Sequence, residues 1–528
     1  MLNDDILLEI FNQYRLEDEE SWNHQLGWCK LSHVCRNWRH LIHEFSVHLD
    51  MHIVLTNSKL PLDTLAHLPF LPLVIDYRSG DPANDSGILH AIQQRDRIRR
   101  IVLQVPPPTL HKLVVTMDEL FPRLDTLSLL SATEPEDGSR LILPRTFLAP
   151  DLRHLELSSI CLPAGLQLLS STVSLTILKL TGIHARGYFT PEYLVTQIQH
   201  IPQLEELSIG FSIPIPRPRD EGSLLRAPIM PTTLPALRWL KFRGVAAYLE
   251  NLVARIRAPL LERFNVTLFN QLIFTLPHLF QFISTTEGFR HPIASVIFNR
   301  DAVSFVVGPR DQFSDGIFSL RINSKQLDWQ IDSTIQLCGV LAPLLSVAEE
   351  LMFVVDERSL PEDWQDAVDD IAVWHGILRP FDGVKKLRIG HPLALELSNA
   401  LESDNVELVA VLLPELHELR ARVEIGHARN AFAAFIDTRR RAGCPILLSV
   451  LPVTSAPTPK PLSPKPLSPK PPSLVADEHS STVTIESLTV TTQEPFLSDV
   501  SLVRRNWFRR AVVDRVRKRL GPRVPSDS

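Results

Sequence analysis

The residues most able to do chemistry lie in the first fifty positions. Cys35 stands beside Arg36 and two residues from His33, a setting that lowers a thiol pKa when the sulfur is open to solvent. Cys35 also falls on an apolar position of helical spacing, where a buried, inert thiol is expected. His24, His33, His40, His43 and His48 gather around Cys29 and Cys35. No pair there has zinc-ligand spacing with a second such pair downstream, so these are read as surface or satisfied histidines and no metal is expected. Glu349-Glu350 and Asp366/Asp369/Asp370 lie in helix-like stretches and read as solvated acidic faces. There is no glycine-rich phosphate loop, no Gly-x-Ser-x-Gly elbow and no His-Glu-x-x-His pair, and only 20 of 528 residues are glycine. The expectation is no enzyme: no catalytic residue, no cofactor, and no pocket gathering two or more titratable groups.

The elements that position these residues follow from a repeated pattern, apolar-x-x-apolar-x-apolar, often with proline just ahead of it. Clear copies are Leu124/Leu127/Leu129, Leu152/Leu155/Leu157, Leu175/Leu178/Leu180, Leu204/Leu207/Ile209, Leu237/Leu240/Phe242 and Leu261/Phe264/Val266, with first positions 28, 23, 29, 33 and 24 residues apart. Weaker copies are Ile98/Ile101/Leu103, Ile293/Val296/Phe298, Ile317/Leu320/Ile322, Ala348/Leu351/Phe353, Val384/Leu387/Ile389 and Leu416/Leu419/Ala421. Positions two apart share one face of a strand, so each copy predicts one short strand. Helix-like stretches such as 191–200 and 246–257 return the chain between copies. One strand with one helix cannot bury its own apolar face, so the units must stack with parallel strands. The pattern resembles an irregular leucine-rich-repeat solenoid, an α/β fold; a generic α/β protein with leucine-rich strands is the alternative. Proline, which cannot continue a helix, accounts for 42 Pro in the chain. The expected divisions are a helical module over 1–46, the solenoid over 47–451, a Pro-rich linker over 452–474 carrying repeated Pro-Lys-Pro-Leu-Ser, and a mostly disordered tail over 475–528 with a basic helix near 502–520.

The opening segment has helical apolar spacing in three short runs, the first beginning after Asn3 with Asp4 and Asp5 in its first turn. Asp4-Asp5-Ile6-Leu7-Leu8-Glu9-Ile10-Phe11, followed by Leu31-Ser32-His33-Val34-Cys35-Arg36-Asn37-Trp38-Arg39, resembles the F-box motif. An F-box ahead of degenerate leucine-rich repeats is an arrangement common among fungal proteins. The resemblance implies a three-helix module that docks on the small adaptor subunit of a cullin-RING ubiquitin ligase, with the repeats holding a protein substrate. Leu2, Ile6, Ile10, Leu31, Val34, Cys35 and Trp38 match the apolar positions that the family divides between its core and the adaptor interface. Where the family begins Leu-Pro this chain has Leu2-Asn3, which leaves reduced adaptor affinity or a longer native start as the two readings. A three-helix cap that merely shields the first repeat is the structural alternative.

Residues 452–528 hold 12 Lys/Arg against 7 Asp/Glu, leaving 42 against 53 for residues 1–451, so a body of net charge −11 carries a basic tail. That body is not expected to bind nucleic acid. The basic helix has three readings: a partner-packing helix, an anionic-surface or nuclear-import patch, and a membrane anchor. Five scattered cysteines fit a reducing compartment, and no signal peptide or spanning segment is evident, so a cytoplasmic or nuclear location is expected. The function implied is that of a substrate-recognition subunit; the alternative is a non-ligase scaffold. Outward positions between the repeat leucines, Glu156, Lys179, Ser208, Lys241, Asn265 and Arg388, are the candidate substrate contacts.

Overall fold

The protein is described by a computed structural model covering residues 3–17, 27–46, 49, 51–56, 71–78, 82–132, 141–162, 167–214, 230–271, 273–309, 316–324, 327–355, 371–390, 393–401, 412–423, 432–441 and 443–452. Leu2, His24, His48, Asp366, Asp369, Asp370, the Pro-rich linker beyond Pro452 and the basic tail lie outside the described residues.

Three helices open the chain: α1 (Asp4–Glu17), α2 (Gly27–Ser32) and α3 (Arg36–Glu44). Strands follow in chain order as β1 (Ile53–Leu55), β2 (Leu73–Tyr77), β3 (Ile98–Val105), β4 (Thr126–Ser131), β5 (Leu141–Ile142), β6 (His154–Ser158), β7 (Ile160–Cys161), β8 (Ile177–Ile183), β9 (Glu206–Phe211) and β10 (Thr232–Thr233). The second half supplies β11 (Trp239–Gly244), β12 (Ile256–Arg257), β13 (Arg263–Phe269), β14 (Ile293–Asn299), β15 (Ala302–Val307), β16 (Phe318–Asn323), β17 (Glu350–Val355), β18 (Lys386–Ile389), β19 (Glu418–Val423) and β20 (Leu447–Pro452). Between them run α4 (Pro82–Gln93), α5 (Pro107–Val115), α6 (Gln167–Ser171), α7 (Pro191–Ile198), α8 (Ala246–Val253), α9 (Pro277–Ser284), α10 (Leu327–Leu345), α11 (Ile371–Leu378), α12 (Leu393–Leu401) and α13 (Ala433–Arg441).

Sixteen of these strands form one sheet, with β5/β7 and β10/β12 as two small separate ladders. All twelve pattern copies land on strands of the large sheet. The second and third positions of the six clear copies are at most 2% exposed, each contributing about 1.5–3 kcal/mol by leaving water. The proline ahead of the pattern has a local role beyond stopping a helix. In Phe121-Pro122-Arg123-Leu124 the Leu124 amide donates to the Phe121 carbonyl, and the same closure recurs from Leu152 to Ala149, Leu204 to Ile201, Leu237 to Leu234 and Leu261 to Ala258. Proline thus occupies the second residue of a tight turn, where its fixed φ is already correct. Prolines also start α5, α7 and α9, where no amide is needed.

The expected one-way stacking breaks at one place. After β13 the chain passes over two sheet positions to β14, then doubles back through β15 and β16, so that β16 pairs parallel with β13 and β14 pairs parallel with β17. β15 is antiparallel to both of its neighbours. Ala302/Phe305/Val307 repeat the apolar spacing there as well, and all six residues of the strand are buried. The return from β16 to β17 must cross three strand spacings, about 14 Å. It is made by α10, whose 19 residues span about 28 Å; the equally wide step from β13 to β14 is made through the 8-residue α9 and the segments flanking it. Gln330 of α10 pins this meander by donating to the Asn299 and Ser324 carbonyls at 2.9 and 2.8 Å.

The helices are also stitched to one another. Glu250 of α8 accepts hydrogen bonds from the His278 and Leu279 amides at 2.9 and 2.8 Å. It therefore caps the first turn of α9 from the preceding unit. Burial pushes its carboxyl pKa up, opposed by those two amides. Buried Arg255 pairs with Glu192 of α7. One contiguous apolar core runs from Leu7, Phe11, Trp28, Leu41 and Ile42 of the opening helices through Leu49 and Ile53 to Ile446. Among the described residues no helix is long and apolar enough to cross a membrane.

Candidate functional site

The opening module is built around Leu7, Leu8 and Phe11 of α1, which are buried with Trp28 of α2 and Leu41 and Ile42 of α3. Asn3 starts α1, its carbonyl accepting from the Leu7 amide at 3.1 Å. Trp38 of α3 sets its ring edge-on to Phe11 with centroids 4.9 Å apart. Asn37 donates to Asp4 at 3.4 Å, and Arg39 donates to the Ser32 carbonyl at 3.0 Å. These ties hold the start of α1 and the α2–α3 turn against one another.

The expected adaptor-binding residues divide accordingly. Leu31 and Trp38 pack against the core. Ile6, Ile10 and Val34 face solvent at 50%, 45% and 58% exposure. Ile6 and Ile10 each precede a buried residue and lie one helical turn apart, which places them as a stripe about 100° from the core-facing side. Phe45, in the turn closing α3, is also exposed and was not singled out from the pattern. Cys35 corrects its expectation. It is exposed rather than buried, and it lies outside the helix as the N-cap of α3, where its Sγ accepts from the Trp38 amide at 3.4 Å. Its sulfur takes the capping place usually held by Ser or Asp. His33 and His40 are surface groups, the latter 3.3 Å from Glu44. His43 is neither exposed nor satisfied. Its ring lies edge-on to buried Trp28, its Nδ1 and the Trp28 Nε1 have no hydrogen-bond partner among the described residues, and burial, then Arg39, lowers its pKa.

The substrate candidates fall on one lateral row of the sheet. Strand register sets Ser128 beside Glu156, Glu156 beside Lys179, Lys179 beside Ser208, Ser208 beside Lys241, and Lys241 beside Asn265. The row continues through Ser319, Val306, Ser295 and Met352 to Arg388. Ser128 donates to Glu156 at 2.8 Å, Lys179 pairs with Glu206 at 3.0 Å, Ser319 donates to Asn265 at 2.9 Å, and Arg388 pairs with Glu350 at 2.8 Å. Ser208 departs from the outward expectation at 4% exposure, since a short side chain between two lysines does not reach solvent. Glu349 and Glu350 also correct theirs. Glu350 opens strand β17 rather than lying on a helix and is buried against Arg388, while Glu349, just ahead of the strand, is exposed and pairs with Lys385 at 2.8 Å. Trp239 and Arg243, exposed on the same face as Lys241, were missed by reading single positions between leucines, although strand alternation marks both.

Just ahead of the strands runs a ladder of residues with alternating charge. The Asp125 amide donates to the Arg99 carbonyl, Arg153 to Asp125, Arg238 to Glu205 and Glu262 to Arg238. Arg99 and Asp125 are ion-paired at 2.8 Å, and Arg238 also pairs with Glu262. Here lies a cleft of about 390 Å³ lined by Pro72, Arg97, Arg99, Arg123, Asp125, Asp151, Arg153 and Ser174. This overturns the expectation that no pocket gathers titratable groups, because the repeat brings the turn positions of successive units side by side. The cleft lining has neither histidine nor cysteine to act as base or thiol nucleophile. Arg97, its pKa lowered by burial, is engaged by the Leu71 carbonyl and Gln94. Among the described residues no three His, Cys, Asp or Glu side chains converge as metal ligands.

Comparison with known proteins adds a family assignment at the amino terminus, where residues 1–50 match the F-box domain. No curated protein matches this chain. Among solved structures, the crystal structure of the leucine-rich repeat-containing protein LegL7 from Legionella pneumophila aligns with 75% of this chain and 99% of that one, at 10% identity and a TM-score of 0.23. A superposition that loose carries no functional meaning, and the array is recognised by its own parallel strand order. Residues 1–50 are thus an F-box domain, and the parallel-strand array behind them is leucine-rich-repeat-like, together the layout of a protein-interaction adaptor.

Proposed function

We propose that this chain is a substrate-recognition subunit of an SCF-type cullin-RING ubiquitin ligase. Its F-box docks on the adaptor, through it on a cullin, and the outward strand face of the array holds a target protein. Ubiquitin transfer belongs to the assembled ligase, so the chain contributes position rather than a catalytic group. The observation that carries this reading is the uncovered apolar set Ile6, Ile10 and Val34 on a module whose core is otherwise closed. A cap that merely shields the first repeat has no need of outward isoleucines, whereas a docking helix does.

The test uses the full chain and purified adaptor, because the F-box core is continuous with the array core. Val34→Asp places a charge on a solvent-exposed turn and is expected to abolish capture while leaving the melting temperature unchanged. Trp38→Asp is the weaker probe, since Trp38 also packs on Phe11. Failure of the unaltered chain to bind adaptor at micromolar concentration refutes the ligase role and leaves a scaffold.

A further inference from the structure

The strand face carries a feature that the choice of single outward residues does not describe. On β11, β13 and β16, three neighbours in the sheet, the residues alternate strictly between buried and outward. The outward set is Trp239, Lys241 and Arg243, then Arg263, Asn265 and Thr267, then Ser319 and Arg321. None of the three strands contains an aspartate or glutamate. Register fixes the pattern: Trp239 lies beside Arg263, Lys241 beside Asn265 beside Ser319, and Arg243 beside Thr267 beside Arg321. With about 4.8 Å between strands and about 6.6 Å between alternate residues, the four cations frame an Asn265–Thr267 floor roughly 10 Å by 13 Å.

Their side chains are not neutralised. Arg263 lies over the Trp239 ring at 4.7 Å and Arg243 over the Phe269 ring at 5.8 Å. Arg321 donates to Asn323 at 3.2 Å. Among the described residues none of the four is ion-paired to a carboxylate. Glu206, set beside Trp239, is occupied by Lys179 at 3.0 Å, and Glu262, which precedes Arg263, pairs with Arg238. Trp239 is 42% exposed beside the guanidinium of Arg263, and Trp and Arg are the residues that most often dominate binding energy. This cationic, aromatic island interrupts a body whose net charge over residues 1–451 is −11.

We infer that this patch is the docking surface for an acidic segment of the target protein, one whose carboxylates meet Lys241, Arg243 and Arg321 while an apolar side chain covers Trp239. The inference rests on the substrate-receptor reading and adds the chemistry of the substrate. A carboxylate-bearing peptide fits better than a nucleic acid, because four cations over about 13 Å neutralise a short acidic stretch, whereas a longer polyanion meets the negative charge of the surrounding body.

The test pans a display library of random peptides on the full chain and on its Lys241→Glu/Arg243→Glu variant, both side chains being exposed. The expected result is a peptide pool on the unaltered chain enriched in Asp and Glu with an aromatic or aliphatic residue. A peptide from it should bind at least tenfold more weakly when its acids are replaced by Asn and Gln. Binding should fall at least tenfold with the double variant, and severalfold with Trp239→Ala, while melting temperatures stay unchanged. Recovery of no peptide, a pool without acidic enrichment, equal binding to the double variant, or tighter binding of a single-stranded oligonucleotide overturns the inference. Adaptor capture is measured on the same chains. The double variant should capture adaptor as the unaltered chain does. Lost capture by the unaltered chain with acid selectivity intact refutes the receptor reading alone.

Discussion

Replacing Ile6 and Ile10 together by alanine weighs docking against folding. Both side chains are about half uncovered, at 50% and 45% exposure. Complete burial of an isoleucine contributes about 1.5–3 kcal/mol, so covering the exposed half of each contributes about 1 kcal/mol or somewhat more. Alanine keeps only the Cβ, and the pair is expected to lose about 1.5–2.5 kcal/mol of adaptor affinity, roughly 10- to 60-fold in Kd. In the free chain alanine also gives up the covered half of each side chain, about 1 kcal/mol apiece, offset in part by its higher helix propensity, so stability should fall by about 1 kcal/mol for the pair. Phe11→Ala is the contrasting control. That ring is fully buried against Trp38, and its loss should lower stability by about 3–5 kcal/mol. The assay is titration calorimetry of the full chain with purified adaptor, alongside thermal melts of each variant. Adaptor binding within threefold of the unaltered chain refutes the assignment of these isoleucines. A loss of stability as large as the loss of affinity refutes the separation of docking from folding.

Other expectations concern what holds the array together. Glu250→Ala leaves the His278 and Leu279 amides at the start of α9 without their acceptor. It should cost about 2–4 kcal/mol in a urea melt, Glu250→Gln falling between; an unchanged midpoint argues that water replaces the carboxylate. His43 and His375 have pKa values lowered from 6.5, by burial first and then by Arg39 and Arg379 respectively. The pKa of His154 is also lowered, with burial the leading cause and Glu156 opposing it. Each binds its proton more weakly folded than unfolded, so the stability at stake is complete above about pH 6.5 and is lost as the pH falls through the folded-state values. Melting temperature should therefore decline between about pH 7.5 and pH 5.5, with a shallower slope in His43→Gln/His375→Gln; equal slopes would exclude these rings as the cause.

The repeat was legible because its physics is local. An apolar pair two residues apart needs one face of a strand, and Leu207 and Ile209 or Leu240 and Phe242 announce this without reference to anything distant. The opening helices were legible for the same reason, through the spacing of Leu7, Phe11 and Tyr14. The reversed order of β14, β15 and β16 was not. Ile293/Val296/Phe298 and Ile317/Leu320/Ile322 carry the same pattern whichever neighbour they pair with. Cys35 was misplaced because a half-helical apolar spacing does not distinguish the last residue before a helix from one inside it.

Sequence by itself determined which side chains turn inward, since alternation and helical spacing are properties of short stretches and burial follows from them. Only the tertiary structure decided which outward side chains become neighbours. Lys241, Arg243, Arg263 and Arg321 are spread over residues 241–321, and a single island of positive charge forms from them because strand register, a long-range hydrogen-bonding relation, sets β11, β13 and β16 side by side. The same holds for Ile6, Ile10 and Val34. Their apolar character is written in the chain, but whether they closed a core or stayed open to a partner depended on how much surface three short helices had left to bury.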